Sequence, residues 1–468
     1  MTAAGGRPAT VPGRPRMQRW LAGLGWVAAA LASPPAAVAQ SPADGGAPSV
    51  LPGAVMDRMI AARAAGRPTS QIVTPAQPGE WPSLVSLLVS RDGVATRFCA
   101  GTVIDARAVL TSAECALASR VGDIRVELPA RRHDEASRDE IPIASVAVHP
   151  DFDAARGTND LAVLILARDA ATIRQRLAGP ETRPVSGRGG LVAVTAGFAS
   201  PIAGPAMSDR PTWRVPLRES GACGTGPQRV AADPVLCAAF EPSEAAGTGE
   251  PGGPLFAETG TGEWVQIGVR SPATGSAAYV AIAGSAGWIR SIAAGANLAR
   301  ADDSAAFPVW SRPAAPVASL SLDVVDGPRL KIGTGLRIRL LSPRGGIPIL
   351  LLQEANGKAR LIWSPFVRAF RQRNGRERVS PGQLVEIPTA EQAERGARLT
   401  VTGPAGPARL VAVMADNLDR DTRDIEGLQA GDAIGDPTRL IERMLNAGKG
   451  FHGLQSHAVA VVDIEIVE

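Results

Sequence analysis

The chain has 468 residues, a formal net charge of +4, 4% aromatic residues and four cysteines, and its length accommodates two or three domains. Four arginines, Arg7, Arg14, Arg16 and Arg19, and no acidic residue fall within positions 1–39; beyond them 45 basic residues face 45 acidic ones. The remainder is near neutral, which removes the electrostatic case for nucleic acid or an anionic membrane as a partner.

Residues 1–39 have the order of a secretory signal peptide. The arginines lead into an apolar run from Trp20 to Ala32, and Ala37-Val38-Ala39 supplies a small-residue cleavage site. Met17 is an alternative start that keeps a charged region ahead of the run. The run is shorter than the roughly 20 residues of a bilayer span, and no later stretch qualifies. A periplasmic or extracellular protein without a transmembrane segment in its mature chain is expected. Residues 40–71 are rich in Ala, Pro, Gly and Ser, with one short helical face at Leu51, Val55, Met56, Met59 and Ile60. They are expected to form a flexible or propeptide-like segment.

From 72 to 293, short apolar stretches at 83–89, 97–104, 108–111 and 162–166 are separated by Gly, Pro and Asp clusters, the pattern of an all-β domain. Residues 294–316 carry Pro308, Pro313 and Pro316 without sustained periodicity and read as a linker. In residues 317–468, Leu336 to Leu340 alternate, Ile349 to Leu352 continue, and Asn356-Gly357 turns the chain. Further strands are expected at 384–387, 398–401, 410–414 and 457–466. One helix is expected after Asp436-Pro437, with Leu440, Ile441, Met444 and Leu445 on one face and Gly448 at its end.

Cys99 and Cys115 enclose 15 residues, and Cys223 and Cys237 enclose 13. Four cysteines allow three connectivities; the spacing favours two short-range disulfides, each worth about 3 kcal/mol. A zinc site would need thiolates two to four residues apart or nearby histidines, which are absent here. No metal or other cofactor is expected.

Phe98-Cys99-Ala100-Gly101-Thr102-Val103-Ile104, Leu110-Thr111-Ser112-Ala113-Glu114-Cys115, Asn159-Asp160-Leu161-Ala162-Val163-Leu164 and Gly249-Glu250-Pro251-Gly252-Gly253-Pro254-Leu255 occur in this order. With Val148-His149-Pro150 and a terminal Gly287-Trp288-Ile289-Arg290 helix, they resemble the trypsin/chymotrypsin-like serine protease family. The resemblance implies a double β-barrel over 72–293 and a triad at positions 114, 160 and 251. Only the aspartate, Asp160, is of the family's type. Glu114 stands where the histidine belongs and lacks the two-ended ring that links nucleophile to aspartate. Pro251 stands where the serine belongs; it has no hydroxyl and no N–H, so it also removes one of two oxyanion-hole amides, leaving that of Gly249. Two adjacent carboxylates do not both ionise cheaply, so one of Glu114 and Asp160 is expected to hold a proton.

Glu250 replaces the aspartate that would pair with a new N-terminus, and Ile72-Val73-Thr74-Pro75 follows Gln71 where a basic residue is usual, so the activation switch is expected to be lost as well. Counting back from Gly253 places Ala245 at the base of the specificity pocket, although 241–248 also reads as a plain surface loop. Glu114, Asp160 and Glu250 could in principle hold calcium, but they lack the close spacing of a metal loop. The C-terminal part is similar to a small bacterial β-sandwich module of unknown function, which implies no catalytic residues. Arg368, Arg371, Arg373, Arg376 and Arg378 read as a solvated basic stretch.

The expected fold is therefore all-β, a trypsin-like double barrel followed by a smaller β-rich, sandwich-like domain with one helix. The expected function is that of an inactive homologue that binds an unidentified protein or peptide. The alternatives are a serine endopeptidase with residual or rearranged activity and a structural envelope protein.

Overall fold

A computed structural model describes residues 72–75, 81–91, 93–129, 139–182, 186–187, 190–197, 211–218, 235–238, 250–258, 264–271, 278–299, 320–343, 345–354, 358–364, 378–415, 431–434 and 458–468. Among these, no helix is long and apolar enough to cross a membrane.

After β1 (Ile72–Pro75), six strands form a closed barrel: β2 (Leu84–Arg91), β3 (Val94–Asp105), β4 (Ala108–Thr111), β5 (Ile124–Glu127), β6 (Glu140–Val148) and β7 (Ala162–Leu166). The alternation of the sequence is what closes it. In β6 the buried Ile141 and Ile143 alternate with exposed Glu140, Pro142 and Ala144, so one face fills the barrel and the other meets solvent. Val85, Leu87, Phe98, Val126 and Leu164 form the interior.

The second barrel comprises β8 (Leu177–Ala178), β9 (Ser186–Gly187), β10 (Gly190–Ala196), β11 (Pro211–Arg218), β12 (Val235–Ala238), β13 (Pro254–Glu258), β14 (Trp264–Arg270) and β15 (Ala278–Ala281). The pairing of β10 with β11 closes the ring β10-β11-β12-β15-β14-β13. Ile104, Leu110 and Val163 of the first barrel and Leu177, Leu255 and Val265 of the second share one buried cluster, so an apolar seam joins the two. Trp81 stacks on Phe256 across it with ring centroids 4.2 Å apart. The terminal helix α2 (Ala286–Ile292) forms where Gly287-Trp288-Ile289-Arg290 suggested. Beyond 293, β16 (Leu298–Ala299) pairs with β8; residues 300–316 of the expected linker lie outside the described residues.

The C-terminal domain is a sandwich. Its three-stranded sheet contains β17 (Ser321–Val324), β19 (Ile338–Leu341) and β22 (Leu384–Ile387). Its six-stranded sheet contains β18 (Arg329–Lys331), β20 (Ile347–Glu354), β21 (Ala359–Trp363), β23 (Gly406–Ala415), β24 (Ala433–Ile434) and β25 (Ala458–Val467). Leu322, Ile338 and Leu340 from the first sheet and Ile349, Leu361, Val411 and Ile464 from the second meet in one core.

Two local readings change. The stretch 398–401 contributes only an isolated bridge, Thr400 with Gly335, where a strand was expected. A helix not read from the sequence, α3 (Ala390–Glu394), is started by a capping box: Thr389 accepts from the Gln392 amide and Gln392 accepts from the Thr389 amide. The expected helix at 436–448 and the Asn356-Gly357 turn lie outside the described residues.

Candidate functional site

Strand β4 ends at Thr111, and Ser112 caps the short helix α1 (Ala113–Leu117) by accepting from the Cys115 amide at 3.2 Å. Glu114, the second residue of α1, is half-buried. Cys115 is disulfide-bonded to Cys99 of β3, which staples α1 to the barrel. The other disulfide involves Cys237 in β12; its expected partner, Cys223, lies outside the described residues.

Asp160 sits just before β7, fully buried. Asn159 reaches it in the left-handed conformation at φ 51°, which a short polar side chain tolerates. The carboxylate gathers three donors: Oδ1 accepts from the Glu114 amide at 2.9 Å, Oδ2 from the Ser271 hydroxyl at 2.6 Å, and the Ala113 amide adds a third. Asp160 thereby ties the first turn of α1 to the end of β14. Its pKa is raised to about 6, foremost by burial, while the Ser271 and amide bonds pull it back. The expected origin was repulsion from a second carboxylate. Burial takes that part instead, and Glu114 acts on Asp160 through its backbone amide.

The loop Glu250–Gly253 is a turn closed by the Gly253 amide on the Glu250 carbonyl at 2.8 Å. The buried Pro251 presents its carbonyl to the Ala100 amide at 2.8 Å, and the Gly252 amide donates to the Arg270 carbonyl at 2.9 Å, so the loop is sewn to β3 on one side and β14 on the other. Gly252 has φ 74°, and a Cβ there would lie 2.2 Å from Thr111 Oγ1, 2.5 Å from the Ala100 carbonyl and 3.2 Å from Cys115 Sγ. Only glycine brings the loop this close to the disulfide. Positions 114, 160 and 251 thus surround one junction of α1, β3, β7 and β14.

Glu250 is buried, and half-buried Arg270 lies within its electrostatic reach; burial lowers the guanidinium's pKa, while the charges of Tyr279 and Glu250 oppose that. The backbone of Ile72 begins β1 opposite Trp213. Gly249 and Ala245 lie outside the described residues. Among the described residues, no cluster of three or more His, Cys, Asp or Glu side chains is placed to hold a metal ion.

Sequence reasoning did not single out Ser271, whose hydroxyl donates to Asp160 at 2.6 Å. Its only signal is a lone serine following an apolar strand. His149 was assigned no role. Its Nε2 lies 3.3 Å from Ser285 Oγ and its ring 4.8 Å from that of Trp288. The Asp151 amide donates to Nδ1 at 3.2 Å. Burial lowers the His149 pKa, against Asp151, so the ring is neutral near pH 7. With Nδ1 accepting, the single proton resides on Nε2 and is donated to Ser285. This pair therefore has the tautomer opposite to that of a base and nucleophile.

Residues 72–289 match the family model for Trypsin. The chain is 27% identical over 207 residues to "Phenoloxidase-activating factor 3" of Holotrichia diomphalia, an alignment covering 39% of this chain and 58% of that relative. It is 30% identical over 99 residues to "Serine protease Hayan" of Drosophila melanogaster, covering 20% of this chain and 15% of that protein. Each alignment thus spans less than two thirds of the relative. Two rings of six strands, the apolar seam between them, the Cys99–Cys115 staple and the family match agree: residues 72–289 have a trypsin-like double-barrel fold.

Proposed function

We propose that the chain is an exported, catalytically inactive member of this class of domain, a pseudoprotease that binds a protein or peptide partner. The single observation that carries the reading is Pro251, enclosed in the turn where a nucleophile would stand, with its carbonyl committed to Ala100. A proline offers no oxygen to acylate and no amide to an oxyanion. Loss of a triad nucleophile or base costs about a millionfold in turnover, and here both positions are substituted. The neutral His149, aimed at Ser285 with its protonated nitrogen, supplies no substitute base. Export rests on the charged, apolar and small-residue order of positions 1–39.

The reading is tested by treating the purified chain with a fluorophosphonate probe and screening it against a broad peptide-substrate library, with Pro251→Ala as a control. The expected result is no labelling and no turnover in either protein. Turnover that disappears in Pro251→Ala would overturn the reading and move the catalytic centre onto this loop.

A further inference from the structure

The first barrel ends at Leu166 and β8 begins at Leu177, so residues 167–176 connect the two barrels across the seam. The connector bends at 167–168 and at 172, and beyond that bend Gln175 has different partners from its neighbours Arg174 and Arg176. Gln175 faces the barrels: its amide donates to the Val103 carbonyl at 2.8 Å, its Oε1 accepts from Ser83 Oγ at 3.1 Å, and its Nε2 donates to the Trp264 carbonyl at 3.0 Å. This one side chain bonds to both barrels.

The other side of the connector meets the C-terminal domain. Arg174, with 6% of its side chain exposed, donates from Nε and Nη2 to the two oxygens of Asp323 at 2.9 Å each and from Nη2 to the Val324 carbonyl. Its Nη1 reaches Asp105 at 3.4 Å, and Asp105 also accepts from the Gly295 amide. Arg176 lies 3.7 Å from Asp463, and the Thr172 carbonyl accepts from Arg339 at 3.3 Å.

The receiving groups are ordered by strand register. Asp323, Arg339 and Glu386 stand opposite one another across the three-stranded sheet, and Gln353, Arg409 and Asp463 across the six-stranded one. Each sheet presents a polar row, and the connector meets both. Burial works against the Arg174 charge, but Asp323 and Asp105 outweigh it and raise its pKa, so the guanidinium stays charged.

We propose that the C-terminal domain is an intramolecular brace: by gripping residues 172–176 it fixes the two barrels relative to each other and so holds the junction around Asp160 and Pro251 in shape. The grip acts at a distance from that junction. Strands β4 and β7 have Thr111 and Ala162 at their ends next to the junction and Ala108 and Leu166 at the ends near the connector. This inference holds whatever the first domain binds.

The test is native-state hydrogen exchange on the full chain in increasing denaturant. The amides of Gln175 in the connector, Glu114 and Gly252 at the junction, and Leu322 and Leu340 in the three-stranded sheet are expected to open in one cooperative step with a common denaturant dependence. Opening of Leu322 and Leu340 in a separate, lower step, with the Glu114 and Gly252 amides still protected, would overturn the proposal. In the full chain, Arg174→Met is expected to cut protection of the Gln175, Glu114 and Gly252 amides by about a hundredfold, since it leaves buried Asp323 without its cation. Arg168→Met, which removes an exposed pair with Asp139, is expected to leave them unchanged. Loss confined to the C-terminal domain in Arg174→Met would also overturn the brace. Should that variant not fold, Arg339→Met removes the bond to Thr172 together with the pair with Glu386 inside the three-stranded sheet and is expected to lower protection at the same amides by less; the wild-type exchange pattern decides independently.

Discussion

Asp160 and Glu114 are joined through a backbone amide: the carboxylate of the first accepts the N–H of the second at 2.9 Å, at the first turn of a five-residue helix. The pair behaves as a helix anchor, and its energetics follow from burial.

Because the Asp160 pKa is raised from 3.8 to about 6, the folded state holds this proton more tightly than the unfolded chain does. Below pH 4 both states hold the proton; stability falls as pH rises between 4 and 6 and above pH 6 is lower by about 3 kcal/mol in total. Asp160→Asn keeps an acceptor for the amides of α1 and a donor for Ser271 Oγ. It is expected to abolish this pH dependence and to be neutral or stabilising at pH 8. Urea midpoints of both proteins from pH 4 to 8 check this.

Gly252→Ala meets Thr111 Oγ1 and the Ala100 carbonyl at sub-contact distances from a left-handed backbone. A loss of at least about 2 kcal/mol in urea unfolding is expected. Gly122→Ala, where an added Cβ meets nothing within 4 Å, is expected to lie within about 0.5 kcal/mol of the parent.

Replacing Cys99 and Cys115 together by alanine reopens a loop of 15 intervening residues and should cost about 3 kcal/mol. Both sulfurs sit in the first barrel's apolar interior. Exchange protection should therefore fall first at the Glu114 and Gly252 amides, which the staple holds together, as mass spectrometry of exchanged peptides would show.

Restoring both substituted positions tests what the frame retains. Glu114→His and Pro251→Ser singly are expected to give no fluorophosphonate labelling; the double variant is expected to label slowly, with Asp160 and Ser271 already in place to orient the imidazole. Absence of labelling in a folded double variant would show that the loop has drifted from productive geometry as well as chemistry.

Much of the first domain's fold was legible because period-two alternation and four short motifs carry it; the structure joins Asp160 to the Glu114 amide and sets Gly252, beside Pro251, against Thr111 and Cys115. The pairing of β10 with β11 was not, since strand closure depends on register that no local pattern encodes. Thr389 and Gln392 did spell a capping box, but in a segment read only for strands. Ser271 and Arg174 were invisible for a common reason: each acts through a partner more than a hundred positions away, and neither belongs to a motif.

The three donors on Asp160 also set an order in which such a centre can be dismantled. A half-exposed side chain at 114 and a ring at 251 can be exchanged with little disturbance to their neighbours, whereas truncating the side chain at 160 strands two helix amides and a hydroxyl. A hydrogen-bonding side chain at this position is therefore a requirement of the fold, whether or not a peptide bond is cut.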